Sequence, residues 1–184
     1  LSFDKRRSAY FSKELITILR LIDKKKVKLE NLYGSWAGAH GNFQFMPSSI
    51  KNYAIDYDKD GQIDLVNSLE DSFASAANYL KTIGWNKKIS WGYKAISADK
   101  IDNSLVTIDA RKLKKTLSRN DLINNKISIK NNKKAIGNFK LIRPDGKDGP
   151  IFLVTTNYEK LLNWNRSLRF AITVGLFADL LKNA

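Results

Sequence analysis

Cysteine is absent from the 184-residue chain. That excludes a disulfide framework and a thiolate metal site, and leaves the compartment open. No apolar run reaches the roughly eighteen residues that a membrane-spanning helix needs, and the first residues carry no signal-peptide pattern. Internal repeats and a linker long enough to separate domains are also missing. Acidic residues are scarce: 18 Asp and Glu stand against 32 Lys and Arg, a formal net charge of +14. Such an excess attracts polyanions, whether nucleic acid, an anionic membrane surface or a carboxylate-rich wall polymer. It is equally the charge of a lysine- and asparagine-rich solvated surface. Because no base-stacking or groove-reading motif accompanies it, nucleic acid is not an expected partner.

What remains is the composition of a folded protein, 43% hydrophobic and 11% aromatic, in a chain long enough to bury a core. Tyr10, Phe11, Leu15, Ile18, Leu19 and Ile22 recur at helical spacing and predict an amphipathic helix with one buried stripe. It is preceded by Asp4-Lys-Arg-Arg7, whose cations do not suit a helix start, and closed by Lys24-Lys25-Lys26, which do suit a helix end. The arginine pair is either a solvated end or a carboxylate-binding element. Pro47 opens a short helix to about Tyr53. Ser68 with Asp71 predicts a capping box for a helix that turns Phe73, Ala76, Ala77, Leu80 and Ile83 inward and stops at Gly84. Trp91, Tyr93 and Ile101 to Ile108 suggest a helix and an irregular connection, and Ser118 to Asp121 a further helix start. Asn124 to Lys134 reads as an exposed excursion with strand character at Ile127-Ser-Ile129. Phe139 to Ile142 and Ile151 to Val154 flank a turn-rich loop and predict a hairpin. A last helix is expected to bury Leu168, Ala171, Val174, Ala178 and Leu181.

One stretch reads as a site. Gly34 to Ser49 begins with small residues that let the backbone run tight, and continues through Phe43-Gln44-Phe45-Met46 to the Pro47 helix start. An acidic loop follows. With Asp56 as position 1, oxygen ligands fall at 1, 3 and 5 (Asp56, Asp58, Asp60), Gly61 supplies the sharp turn, Gln62 offers its carbonyl at 7, and Asp64 stands at 9. Position 12 is Asn67 where the EF-hand pattern has a bidentate glutamate, so the closing carboxylate must come from Glu70 or Asp71. A structural cation, calcium by ligand chemistry, is the expectation.

Gly34-Ser-x-Ala-Gly-Ala-x-Gly-x-x-Gln-Phe-Met-Pro-Ser-Ser49, the Asp-x-Asp-x-Asp-Gly loop, Ala76-Ala-Asn-Tyr-Leu80 and Gly84-Trp85 together resemble the membrane-bound lytic transglycosylase B family of peptidoglycan-cleaving enzymes. Arg6-Arg7-x-x-Tyr10-Phe11 and Trp164-Asn165-Arg166-Ser167 fit the same family, and the match is weakest between about 95 and 140. The resemblance implies a mainly α (α+β), lysozyme-like helical fold with an EF-hand-like loop at 54–72 and a small, variable β-hairpin region at about 95–155, the whole of 1–184 forming one transglycosylase domain that lacks its N-terminal part. It implies cleavage of the bond between N-acetylmuramic acid and N-acetylglucosamine with formation of 1,6-anhydro ends, without a cofactor for the chemistry. In the family the general-acid glutamate sits in a Gly-x-Glu-Thr-type motif upstream of the arginine pair. Glu14, Glu30, Glu70 and Glu159 do not match that motif, and Glu14 is read as a surface or supporting residue. Since Leu1 is not methionine and enters a packed-looking segment abruptly, the chain is expected to be a mature or truncated piece whose acid lies upstream.

By matching position, Ser35 orients the acid, Gln44 and Tyr79 line sugar subsites, Tyr10, Trp164 and Asn165 complete the groove, and Arg6 and Arg7 meet peptide or lactyl carboxylates. The metal set is Asp56, Asp58, Asp60, Gln62 and Asp71. His40 replaces a residue commonly apolar in the family and is read as positional. Expected partners are glycan strands of peptidoglycan, the missing N-terminal segment, and a membrane only through a lipid anchor outside the sequence. The expected compartment is periplasmic or outer-membrane-associated in a Gram-negative bacterium. The alternative is a non-catalytic peptidoglycan-binding module that keeps the groove and lacks the acid.

Overall fold

Helix α1, Ser8–Asp23, forms where the spacing predicts it, but its buried line matches the predicted one only in part. Glu14 and Leu21 are buried, with Phe11 and Ile18 half-buried, while Tyr10, Leu15 and Leu19 are 40%, 48% and 51% exposed. The true stripe is therefore 11, 14, 18, 21, and a glutamate in it hides its phase from a hydrophobicity count. The computed structural model describes residues 2, 5–97, 101–130 and 137–182. Asp4 of the expected basic opening and residues 131–136 of the expected excursion lie outside these. Contacts divide the chain into two units, Leu1–Gly84 and Trp85–Ala184.

In the first unit α1 packs on α2, Pro47–Tyr53, which in turn packs on α3, Leu69–Thr82. Ser68 caps α3 by accepting the Asp71 N–H at 3.1 Å, as the sequence implies. The face of α3 differs from expectation. Asp71, Ser72, Ser75, Ala76 and Tyr79 are buried, whereas Phe73 is 61% exposed and Ala77 is exposed. Polar side chains face inward because the loops beside them need acceptors and donors: Ser75 Oγ accepts from Ile55 N at 2.9 Å and Ser72 Oγ donates to Leu65 O at 3.0 Å.

The second unit holds a sheet in the order β2-β4-β5-β1-β3. Its strands are β1, Gly92–Ser97; β2, Val106–Thr107; β3, Ile127–Ile129; β4, Lys140–Ile142; and β5, Ile151–Val154. The predicted hairpin is present as β4 and β5, with Leu141 opposite Leu153. It is the middle of a larger sheet, because β1 forms a strand where a helix was expected and pairs with β5 (Tyr93 opposite Leu153) and β3 (Ala95 opposite Ile129). Buried Ala95, Leu117, Phe139, Leu141 and Leu153 make the core against it. The helices are α4, Arg119–Asn124, with the expected start at a full Ser118/Asp121 capping box; α5, Thr156–Trp164; and α6, Leu168–Lys182. On α6, Leu168, Ala171, Ile172 and Gly175 are buried, whereas Val174 is 37% and Leu181 63% exposed. The Trp91 ring lies directly on Gly175, where a Cβ would collide with it, and this contact sets the face of the helix.

Asn157, at 0% exposure, ties the β1 entry to α5. Its Oδ1 accepts from Asn86 N at 2.9 Å, and its Nδ2 donates to Asn86 O and Ile89 O at 2.8 Å each. Asn157→Ala removes the partner of three backbone groups and opens a gap at a fully buried position, and should lower unfolding free energy by about 3 kcal/mol in urea titration. A loss below about 0.5 kcal/mol would show that water replaces the amide.

Candidate functional site

Residues 34–46 fold into a tight series of turns that forms one wall of a cavity. Ser35 N donates to Ala39 O at 2.8 Å, Ala39 N donates back to Ser35 Oγ at 3.1 Å, and Gly38 N donates to Ser35 O at 2.8 Å. The hydroxyl is thus pinned by its own loop. Gly38 has φ +86, which suits glycine. Gly41 has φ +75 and sits against the Leu65 backbone, so no side chain fits there. His40 and Phe45 exchange N–H···O bonds of 2.8 Å in both directions. Gln44 holds a left-handed φ of 53, and its Nε2 donates to Gly41 O at 2.9 Å. A non-glycine residue in that conformation costs of order 1 kcal/mol, which the loop sustains while keeping Gln44 exposed.

The cavity encloses ≈ 370 Å³ and is lined by Phe11, Glu14, Ser35, Trp36, His40 and Pro47, among others. Of the two roles expected for Glu14, surface or supporting, the first is corrected: it is 5% exposed, and its Oε2 accepts from Ser48 N at 2.8 Å. A signal for it was in the sequence. Helix α2 starts after Met46, which cannot cap, so its first N–H groups need an acceptor from elsewhere. Glu14 is also the one carboxylate among the described residues lining this cavity.

Arg7 lies over two rings, its Cζ 4.8 Å from the Tyr10 centroid and 5.0 Å from that of Phe11. Burial, then the Glu14 charge, push the Tyr10 hydroxyl pKa up against the opposing pull of Arg7. Arg6 is exposed beside it. Tyr79 is 9% exposed and packs between Phe45, 5.8 Å away, and Tyr53, 4.8 Å away, centroid to centroid. Ser35, Gln44, Tyr10, Tyr79, Arg6 and Arg7 all belong to the first unit, whereas Trp164, the last residue of α5, and Asn165, in extended conformation after it, belong to the second. Sequence reasoning also passed over Tyr33 and Trp36, which are 82% and 84% exposed in or beside the motif.

In the acidic loop, carboxylate oxygens of Asp56, Asp58 and Asp71 lie within 4.8 Å of one another. Asp71, 1% exposed, accepts from Tyr57 N at 2.7 Å and Asp64 N at 2.9 Å, so it closes the loop from α3. The Asp60 N–H bond draws the Asp58 pKa down, but desolvation and the charges of Asp60, Asp71 and Asp56 together outweigh it and raise the pKa. Asp60 Oδ1 accepts from Gln62 N at 2.8 Å. Asp56 Oδ1 and Gln62 Oε1 are buried atoms without a hydrogen-bond partner. Crowded carboxylates and orphaned oxygens fit a hard cation. Asp64 is otherwise engaged: its oxygens take the N–H groups of Val66 and Asn67 and the amides of Asn31 and Asn67.

Comparison with known proteins gives the family of the chain. Residues 1–179 match the family model described as Transglycosylase SLT domain, and the chain belongs to that family. It is 49% identical over 88 residues to membrane-bound lytic murein transglycosylase B of Escherichia coli (strain K12), a match covering 47% of this chain and 24% of that one. SltB3 from Pseudomonas aeruginosa, solved in complex with NAG-anhNAM-pentapeptide, superposes with a TM-score of 0.86 at 32% identity, over 99% of this chain and 48% of that one. Escherichia coli lytic transglycosylase Slt35, solved in complex with calcium, does so with a TM-score of 0.79 at 31% identity, over 100% and 58%. The chain thus spans about half the length of these solved relatives. The α+β, lysozyme-like fold expected from the sequence is the fold of this family.

His40 is 5% exposed, with Nδ1 3.2 Å from Tyr33 O. Burial lowers its pKa, and the Tyr33 carbonyl and Asp64 only partly oppose this. A histidine whose folded pKa is depressed contributes full stability above its unfolded value of about 6.5 and loses it as pH falls below. In His40→Leu the drop in unfolding free energy between about pH 7.5 and pH 5 should be smaller than in the parent chain, by denaturant titration. An identical drop would mean that His40 titrates normally.

Proposed function

We propose that this chain is the larger, C-terminal part of a lytic transglycosylase that cleaves the MurNAc–GlcNAc bond of peptidoglycan and leaves 1,6-anhydro ends. The observation carrying the reading is the Ser35–Gln44 wall, folded against a cavity whose far side is α1 with buried Glu14. In the reaction, one carboxylic acid protonates the glycosidic oxygen as the bond to the anomeric carbon breaks. The resulting carboxylate accepts the proton of the sugar's own 6-hydroxyl as that oxygen bonds to the anomeric carbon. No water is consumed, which sets the scheme apart from two-carboxylate glycosidases. An acid protonated at neutral pH needs an apolar setting, and apolar residues such as Phe11, Leu15, Ile18 and Pro47 supply much of this lining.

The acid comes from a Gly-x-Glu-Thr-type segment outside these 184 residues, since no glutamate here is followed by threonine. Glu14 is a positioning residue: its bond to Ser48 N fixes the Pro47 end of the wall. Ser35 orients the acid. Tyr10, Gln44, Tyr79, Trp164 and Asn165 bind sugar, with ring faces for pyranose packing and amides for N-acetyl groups, and Arg6 and Arg7 take carboxylates. Residues 54–72 are an EF-hand-like brace in which Asp56, Asp58, Asp60, the Gln62 carbonyl and Asp71 hold a structural Ca²⁺; the ion has no part in the chemistry. The site of action is the periplasm or the outer membrane, with membrane contact only through a lipid anchor outside these residues. No described helix is long and apolar enough to cross a membrane.

Murein sacculi incubated with the gene product that carries the acid should release anhydro-muropeptides, identified by mass spectrometry. Ser35→Ala should slow release by on the order of a hundredfold, the penalty of a misplaced reacting group. Retention on sacculi with no product from any length of the gene product would leave the glycan-binding reading in place of the enzyme. For the brace, millimolar calcium should raise the melting temperature of the chain, by about 2.7 kcal/mol of stabilisation at a hundredfold excess over Kd. The shift should vanish in Asp58→Asn. An equal shift with magnesium, or none with calcium, would remove the ion from the proposal.

A further inference from the structure

The second unit holds a further concavity, to which the family motifs contribute only Arg166. It encloses ≈ 310 Å³ between α5, which supplies Lys160 and Asn163, the segment after β2, which supplies Arg111 and Leu113, and Arg166 at the α5–α6 junction. Three cations thus share a small space with one carboxylate, Glu159. That carboxylate is already matched, since its Oε1 lies 3.1 Å from Lys140 Nζ on the adjoining strand β4. Arg169 in the same unit is also paired, 2.8 Å from Asp145. Arg111, Lys160 and Arg166 make no ion pair among the described residues. An anion entering this space meets cations that no carboxylate already holds.

The rest of the lining narrows the ligand. Leu113, Leu162 and Ala110 give apolar contact surface, and Asn163 offers an amide that can both donate and accept. A bare inorganic anion would use only the cations. A short peptide with carboxylates and methyl-bearing side chains would use all of it: guanidinium forks for carboxylates, the amide for a peptide bond, and the leucines for alanyl methyls. The volume is at the lower end of small-molecule sites, room for a few residues and not for a glycan strand. We propose that this concavity binds the carboxylate-bearing peptide stem of the wall polymer, with Arg111 and Arg166 on the carboxylates and Asn163 on the peptide backbone. The proposal rests on the peptidoglycan reading for the source of the peptide. It makes the second unit a docking point for the stem.

Isothermal titration of the 184-residue chain with the sugar-free stem pentapeptide tests it, beside the same peptide with its carboxylates amidated and inorganic phosphate. The free peptide should bind, and amidation should weaken binding by about tenfold or more, the loss of at least one charge-assisted pair. Arg111→Gln with Arg166→Gln should weaken the free peptide by a similar factor. Both side chains are exposed, so the melting curve should be that of the parent. Equal affinity for the amidated peptide, no effect of the double substitution, or phosphate binding as tightly as the peptide would each overturn the site. The titration uses no glycan, so peptide binding without anhydro products would retain the site and reject the enzyme, and products without peptide binding would do the reverse.

Discussion

Residues 24–46 and 54–68 carry little regular structure beyond a short 3₁₀ turn at Leu29–Asn31, yet they form the part of the first unit that bears the site. Every backbone N–H and C=O in such stretches must find a partner, because buried and unpaired each costs on the order of 1–3 kcal/mol. That constraint shapes this unit more than apolar burial does. Asp71 takes two loop N–H groups, Asp64 two more, Ser72 and Ser75 reach the loops beside them, and Glu14 takes the first free N–H of α2. Ser35 and Gln44, the motif residues, spend part of their own hydrogen-bonding capacity in the same way. The wall of the cavity is held by its own polar groups, which keep part of their hydrogen-bonding capacity for a ligand.

The same constraint explains which parts of the molecule were legible in the sequence. Helix starts were, because capping chemistry is local: Ser68 and Ser118 announce α3 and α4, and Pro47 announces α2. The β4–β5 hairpin was, because two apolar runs flank a turn-rich loop. The inward faces of α1 and α3 were not. A count of apolar residues puts Leu15 and Phe73 inside, whereas the buried positions include Glu14, Asp71, Ser72 and Ser75, whose partners lie 7 to 34 residues away in sequence. Strand β1 was missed for a related reason. Its burial pattern does not alternate strictly, since it lies between β5 and β3, and pairing across such distances leaves no local trace.

The site was legible to the extent that it is made of one contiguous stretch. Gly34 to Ser49 and the acidic loop carry their geometry in their own order of residues, and the Gly38 and Gly41 conformations follow from what glycine alone adopts readily. Glu14 was illegible as part of the cavity because it reaches the wall across a helix packing. Tyr79 shows the converse. A motif position identifies it, but its ring is packed between Phe45 and Tyr53, so the aromatic also serves the core.

Charge is the remaining feature that composition announced without locating. A net +14 spread evenly would say only that the surface is solvated. In the second unit it is not even: Lys140 and Arg169 are each met by a carboxylate, while Arg111, Lys160 and Arg166 converge on one concavity. In the first unit Arg7 is held over aromatic rings at the start of α1. A polymer whose glycan is neutral but whose peptides carry carboxylates would meet two kinds of surface on this chain. Ring faces and amides suit a sugar, and guanidinium groups suit an acid, so on the proposed reading the clustered part of the basic excess and the uncharged wall around Ser35 would meet different parts of one polymer.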